Sequence, residues 1–399
     1  MRKFITLTTC IAIFYNIFTP IRLLVDGGKS IFLVISFLTI FLGGNLLFNR
    51  GIWNALLYIF VVCVLSFIGV EYFSSYLPTI LLILFFVFFV EYYSKTKDLL
   101  FAKWVIITTY LSVLFLVLVS IPQFIISPNL SRMVASEIST GESSNIGTAA
   151  YWTISYETIH NLPLLIIPVV VWMKNTTITK YRYFASLIVI SFLILSVFAD
   201  ATTPLILIFC SVAIVYLYQP QRDSITNISR LLIISVVLVV LFNKSTLTTI
   251  LETIQPVFSG SSNEAKVSEL ITYMNYGEKE GDLAIRDKVY NITLNSISDN
   301  FFGVEYDIKR IGRHSFILDH FAAMGFFLFM SFVIFLYYVY KIGASVLKQT
   351  KFAYRIAFVV FLLTGLLKNF FLINSILAII PLSLVLIEKN GKYNIRRNG

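Results

Sequence analysis

Long apolar stretches alternate along the chain with shorter polar ones, and the apolar positions run on continuously instead of recurring at every second residue. Twelve such stretches stand out, near 4–20, 30–48, 53–70, 77–93, 103–123, 159–173, 183–199, 203–218, 231–243, 317–340, 356–368 and 371–387. A helix needs roughly 20 residues to cross about 30 Å of hydrocarbon, and only helices and closed barrels satisfy their backbone groups there. Continuous runs of this length predict helices. The pattern therefore predicts an all-α polytopic membrane protein, a single integral-membrane domain over 1–399 with about twelve transmembrane helices. Two connections break the rhythm: 122–158, rich in Ser, Thr and Gly, and 244–316, a large loop between helices nine and ten. Function concentrates in such loops. In the second, Val267, Leu270, Ile271 and Met274 recur at helical spacing, as do Val289, Ile292 and Ile297 after a break at Gly281. Short helices forming a lid or a partly buried loop are expected there.

Composition agrees with this class. Hydrophobic residues make up 58% of the chain and charged ones 13%, and there are 37 phenylalanines, a balance foreign to ordinary soluble domains. The distribution of cations predicts orientation. With the N-terminus inside, the inner segments hold Arg2, Lys3, Arg50, Lys95, Lys97, Lys174, Lys180, Arg182, Arg222, Arg230, Lys341, Lys348, Lys351, Arg355, Lys389, Lys392, Arg396 and Arg397. The short outer loops hold Arg22, Lys29 and Arg132, with Lys368 at the tight turn between the last two spans. Short cytoplasmic loops collect Lys and Arg, so both termini are expected in the cytoplasm and both long loops outside. The net charge of +10 follows from this bias and forms no basic stripe, which argues against nucleic acid as a partner. The first apolar stretch lacks a small-residue cleavage site after it and is expected to be a retained helix. Cys10, Cys63 and Cys210 lie inside predicted spans without metal or redox spacing. No internal repeat supports a transporter of inverted halves.

The candidate chemistry lies in 286–325, which reads RDKVYNITLNSISDNFFGVEYDIKRIGRHSFILDHFAAMG. Ionisable groups beside a bilayer are costly unless paired or wetted, so their clustering at the mouth of a helix bundle marks a candidate site. All three histidines, His160, His314 and His320, fall on the outer side of the predicted topology. No HxxxH or HxxE spacing exists, so no metal site is expected, whereas proton transfer suits an imidazole that titrates near neutrality. On a helix, Arg310 would share a face with Arg313 and His314. Such a patch suits a pyrophosphate, because guanidinium forks bind phosphate oxygens two at a time; anchoring to lipid head groups is the plainer alternative. Asp319 is expected to pair with His320 or with a neighbouring Arg, and an interhelical hydrogen bond is the plainer role for His320. Glu157 and Asp26 are reserve bases or, more simply, solvated surface carboxylates.

The order Arg286, Tyr290, Asn300, Gly303, His314, Ser315, Gly325 resembles the C-terminal part of the O-antigen ligase and polymerase superfamily. Twelve spans, cytoplasmic termini and a large outer loop before the last three spans are similar to its repeat-unit polymerases; the sequence pattern itself covers 286–325. Two departures stand out. The family often has N-P-x-G-x-G where this chain has Asn300-Phe301-Phe302-Gly303-Val304-Glu305, and it has Ser-Arg-Thr at the outer turn between spans seven and eight, where this chain has Asp200-Ala201-Thr202-Thr203. Arg132 or Arg22 would have to supply the missing guanidinium.

The resemblance implies a glycosyltransferase on the outer face of the bacterial cytoplasmic membrane, joining oligosaccharide repeat units carried on undecaprenyl pyrophosphate into O-antigen, capsule or exopolysaccharide. A hydroxyl of one unit attacks the anomeric carbon of the growing chain and the lipid pyrophosphate leaves, which needs a base at the hydroxyl and cations on the leaving group. On this expectation His314 is the base, Arg286 and Arg313 hold the pyrophosphate with help from Arg310 or Arg132, and Asp319, His320, Tyr290 and Gly303 support them. No cofactor or metal is expected. The implied partners are the lipid-linked oligosaccharides, the bilayer, and the chain-length regulator and flippase of the same pathway. Alternatives are a ligase with the same residues and another acceptor, a flippase, which would need paired charges near the midplane, and a structural assembly partner, which would tolerate loss of His314.

Overall fold

The computed structural model describes residues 2–17, 52–74, 88–127, 152–199, 201–217, 244–258, 262–279, 281–368 and 375–390, with Val34, Leu38, Thr39 and Leu130 between them. Among these the chain is helical, with no strand. The helices are α1 (Arg2–Ile17), α2 (Ile52–Phe67), α3 (Glu71–Ser74), α4 (Leu99–Ile126), α5 (Tyr156–Asn175), α6 (Thr179–Phe198), α7 (Thr202–Leu217), α8 (Lys244–Ile254), α9 (Ser262–Tyr276), α10 (Gly281–Asp299), α11 (Phe316–Ser345), α12 (Lys351–Leu367) and α13 (Ser375–Asn390). Residues 88–96 are helical as well. The stretch expected at 231–243, nearly all of 30–48, most of 77–93 and most of the 122–158 loop lie outside the described residues.

Among the described residues, α4, α5, α6 and α11 are long and apolar enough to cross a membrane. Large apolar side chains such as Trp53, Phe60, Leu111 and Phe209 face outward, a surface that water would penalise and a bilayer would not. The protein is thus all-helical with the build of a membrane protein. At its centre is α5, buried at every position from Thr158 to Val171 and packed against α6, α7, α12 and α13; its buried polar groups bond within the helix, His160 with the Tyr156 carbonyl and Asn161 with that of Glu157. Pro163 and Pro168 sit within it, tolerated because neighbouring helices enclose the freed carbonyls. Side chains fix the helix ends. The Asp98 carboxylate accepts from the backbone N–H groups of Leu100 and Phe101 at the start of α4, and Ser155 caps α5. Glu388 of α13 accepts from the N–H groups of Lys348, Gln349 and Thr350 just before α12, where the helix dipole favours an anion.

One predicted span is built differently. Gly325, inside α11, has φ 65° and ψ 170°, a conformation essentially restricted to glycine, and it divides the helix into 316–324 and 326–345. In a straight helix residues 12 and 16 apart lie about 18 and 24 Å from each other. Yet His320 and Phe332 have ring centroids 5.1 Å apart, and Phe316 and Phe332 5.5 Å. The first piece therefore folds back along the second. The expected span at 317–340 is corrected accordingly: 326–345 is the uninterrupted helix, roughly 30 Å long and sufficient to cross a bilayer, and 316–324 is a re-entrant arm.

Candidate functional site

The site grows from three elements: α10, the 300–315 loop and the re-entrant arm of α11. Arg286, Tyr290 and Thr293 share one face of α10 by their four- and three-residue spacing. That face meets the loop. Gly312 donates its N–H to Thr293 Oγ1 at 2.8 Å, and a side chain at 312 would collide with the Val289 carbonyl, so glycine lets the loop lie directly on α10. Thr293 Oγ1 in turn donates to Asp319 Oδ1 at 3.0 Å.

Asp319 organises the turn before α11. It is fully buried, and its second oxygen accepts the Ser315 N–H at 3.0 Å. The Arg313 backbone also bonds to it, and the Arg313 charge attracts it. Ser315 is the helix cap, its Oγ accepting from the Leu318 N–H at 3.3 Å. A cap serine whose own N–H is held by a carboxylate one turn on is a one-residue-longer version of the capping box. This arrangement fixes Arg313 in the left-handed region, at φ 55°, and presents His314 between two anchored residues. The His314 ring stands edge-on to Tyr290, centroids 5.4 Å apart. Burial, opposed by the Arg286 guanidinium and reinforced by Asp319, raises the Tyr290 phenol above its ordinary pKa, so it stays protonated and donates to the Leu366 carbonyl at 3.1 Å. The Phe316 N–H likewise reaches the Lys368 carbonyl at 3.0 Å. Two carbonyls at the end of α12, which no intrahelical partner would satisfy, thus hold the site against it.

Sequence reasoning places other residues differently. Arg310 does not share a helical face with Arg313 and His314: residues Ile308–Arg310 form one 3-10 turn, which closes before Gly312 and the left-handed Arg313. Its guanidinium is bound by Asp299 at 2.5 Å and Glu305 at 3.2 Å, so its charge is met inside the loop. His320 does not pair with Asp319. It is fully buried, its Nε2 3.0 Å from the Tyr58 hydroxyl and its Nδ1 3.0 Å from that of Tyr72 and 2.9 Å from the Phe316 carbonyl. A neutral ring with the proton on Nδ1 satisfies all three, with Tyr58 donating to Nε2; His320 thereby ties the re-entrant arm to α2 and α3. Gly303 has an ordinary φ and open space where a Cβ would stand; its carbonyl, not its missing side chain, matters, because it lies against Gly325. His160 is buried in α5, its Nδ1 3.0 Å from the Tyr156 carbonyl, and Glu157 stands in the first turn of that helix. Arg132, Arg22, Asp26 and Asp200 lie outside the described residues.

Glu305 was not anticipated. It is buried and accepts from Ser296 Oγ at 3.1 Å, Asn300 Nδ2 at 2.8 Å and the Asp307 N–H at 3.2 Å, besides Arg310. The signal available was an acid where the resemblance leads one to expect glycine, five residues before Arg310. Among the described residues no group of His, Cys, Asp and Glu is arranged to hold a metal ion.

Tyr290 thus links two of the sequence candidates, with the Arg286 charge acting on its phenol and the His314 ring against its edge, while the Arg313 charge acts on Asp319. No protein-family model matches the chain, and no curated protein does so either.

Proposed function

We propose that this chain is an integral-membrane glycosyltransferase that polymerises undecaprenyl-pyrophosphate-linked oligosaccharide units on the outer face of the bacterial cytoplasmic membrane. In this reading it has twelve spans, cytoplasmic termini, and the lipid-linked units, the chain-length regulator and the flippase as partners. The observation that carries it is the turn from Arg313 to Ser315, held by Asp319 and seated on Tyr290, with Arg286 one helical turn before Tyr290. Arg286 and Arg313 bind the pyrophosphate, whose negative charge grows as the glycosyl bond breaks. His314 takes the proton from the attacking hydroxyl. Tyr290 and Asp319 position His314 and Arg313.

The test is the size of lipid-linked oligosaccharides from cells carrying the wild-type gene, no gene, His314→Gln or His314→Ala. Single units accumulating without the gene are expected; long polymer left unattached would make the protein a ligase, and an unchanged profile would overturn the reading. Gln keeps a hydrogen-bonding side chain but is no base near neutral pH, so both His314 variants should accumulate single units at wild-type levels of inserted protein. Near-normal polymer from His314→Gln would reduce His314 to a positioning residue.

A further inference from the structure

We propose that a glycerophospholipid with an anionic head group binds at the end of the bundle where α5 passes into α6, its acyl chain in a cavity between α4, α5, α6 and α13 and its phosphate on Lys180 and Arg182. This site is remote in sequence from the Arg313 to Ser315 turn and does not rest on glycosyl transfer.

The cavity has a volume of about 790 Å³ and is lined mainly by apolar groups, among them Tyr110, Pro168, Trp172, Tyr181, Phe184 and Leu386. That size falls in the range of sites that enclose a small ligand. It opens sideways, since Leu111 and Phe184 on its wall are exposed, toward the surface read as facing lipid. Deep in it the Tyr110 hydroxyl donates to the Leu165 carbonyl and Ser383 to that of Ile379, while the other polar lining residues, Asn175, Thr176 and Thr177, gather at the α5–α6 turn. A mainly apolar space whose Tyr110 and Ser383 hydroxyls are already committed offers water little and a hydrocarbon chain a good deal.

The rim is of another character. Trp172 and Tyr181 lie with ring centroids 6.0 Å apart, the pair of residue types that settles at the level of lipid head groups. Lys180 Nζ stands 5.5 Å over the Tyr181 ring, and the Arg182 guanidinium reaches the carbonyl of Thr176, itself a lining residue. Both cations are exposed. Their partners here, a ring face and a carbonyl, leave the formal charges unneutralised by these contacts. An acyl chain running from the cavity past Tyr181 would bring its phosphate to them. Charge and shape together single out an anionic lipid over a zwitterionic one, in the leaflet on the side of the α5–α6 turn.

The experiment uses the full chain purified in detergent and stripped of lipid, then titrated with phosphatidylglycerol or phosphatidylcholine and read by native mass spectrometry. Wild type should retain phosphatidylglycerol preferentially, by on the order of fivefold for each cation engaged, and the preference should shrink in higher salt. Lys180→Gln with Arg182→Gln, both at exposed positions, should abolish the preference with no loss of folded protein. Leu114→Trp, which fills the cavity, should lower retention of both lipids. Equal retention of the two lipids by wild type, or a preference that survives the double substitution, overturns the proposal.

Discussion

Glu305 stands where the family resemblance leads one to expect glycine, and its four acceptor contacts make it the pin of the 300–310 loop. It absorbs the charge of Arg310, and the two arginines on either side of the site are thereby set apart from the one within the loop. This separation is testable. Arg310→Ala removes pairs that are about half exposed at the guanidinium, worth about 0–1 kcal/mol of stability, and should leave polymer formation close to wild type. Arg286→Ala or Arg313→Ala should instead cost on the order of 2–4 kcal/mol of transition-state stabilisation, roughly 30- to 1000-fold in rate, and Lys should restore only part of it because the fork is lost. Normal rates from both of the latter variants, at matched expression, would remove the pyrophosphate assignment. At this scale Arg286 and Tyr290 stand out in the sequence through the resemblance alone; that they share a face of α10 with Thr293 follows from the four- and three-residue spacing once the helix is in place, and nothing in the sequence marks Thr293. Arg310 was misread because the spacing rule presumes a helix, and Gly312 ends the turn too soon for one.

The hairpin of α10 and the re-entrant arm depends on backbone meeting backbone. The Gly303 carbonyl occupies the space where a side chain on Gly325 would stand, and the Phe326 N–H, freed by the break in α11, donates to the Phe301 carbonyl at 2.7 Å. Gly325→Ala would combine a glycine-only conformation with a collision against that carbonyl. Each effect is worth about 1–3 kcal/mol, so thermal unfolding in detergent should show a loss of about 2–6 kcal/mol or little folded protein. Gly303→Ala, with an ordinary φ and open space, should stay within about 0.5 kcal/mol of wild type. Equal stability of the two variants would show that the fold-back is not held this way. The short helices α9 and α10 were legible from their periodicity and the Gly281 break. The re-entrant arm was not: its residues are as apolar as those after it, and one glycine in an apolar run is ordinary in membrane helices. Only the ring contacts across the break distinguish a fold-back from a straight span.

For the whole molecule, continuous apolar runs were enough to anticipate an all-helical protein with helices of membrane-crossing length, because the bilayer dictates both length and backbone satisfaction. How the helices pack, with α5 enclosed and α4 and α6 largely exposed, was not legible: α5 has the lowest mean hydropathy of the three, 1.3 against 2.4 and 1.9, and enclosure depends on neighbours distant in the chain. Orientation rests on cation bias, and the polymerase reading depends on it, since on that reading the 244–316 loop faces the compartment holding the lipid-linked units. A variant with Cys10, Cys63 and Cys210 changed to Ala and single cysteines introduced in turn tests it directly. Ser143→Cys and Ser261→Cys should react with an impermeant thiol reagent in intact spheroplasts, and Ser224→Cys should react only after the membrane is opened. The bias behind this expectation is large: Lys and Arg in short loops set orientation, and the inner segments from Arg2 to Arg397 carry many more than the outer loops that hold Arg22, Lys29 and Arg132. Labelling of Ser224→Cys alone in intact spheroplasts would invert the protein. It would put His314 and its arginines in the cytoplasm and the lipid site of the α5–α6 turn in the outer leaflet. The polymerase reading would then fail, while lipid binding measured in detergent would be untouched.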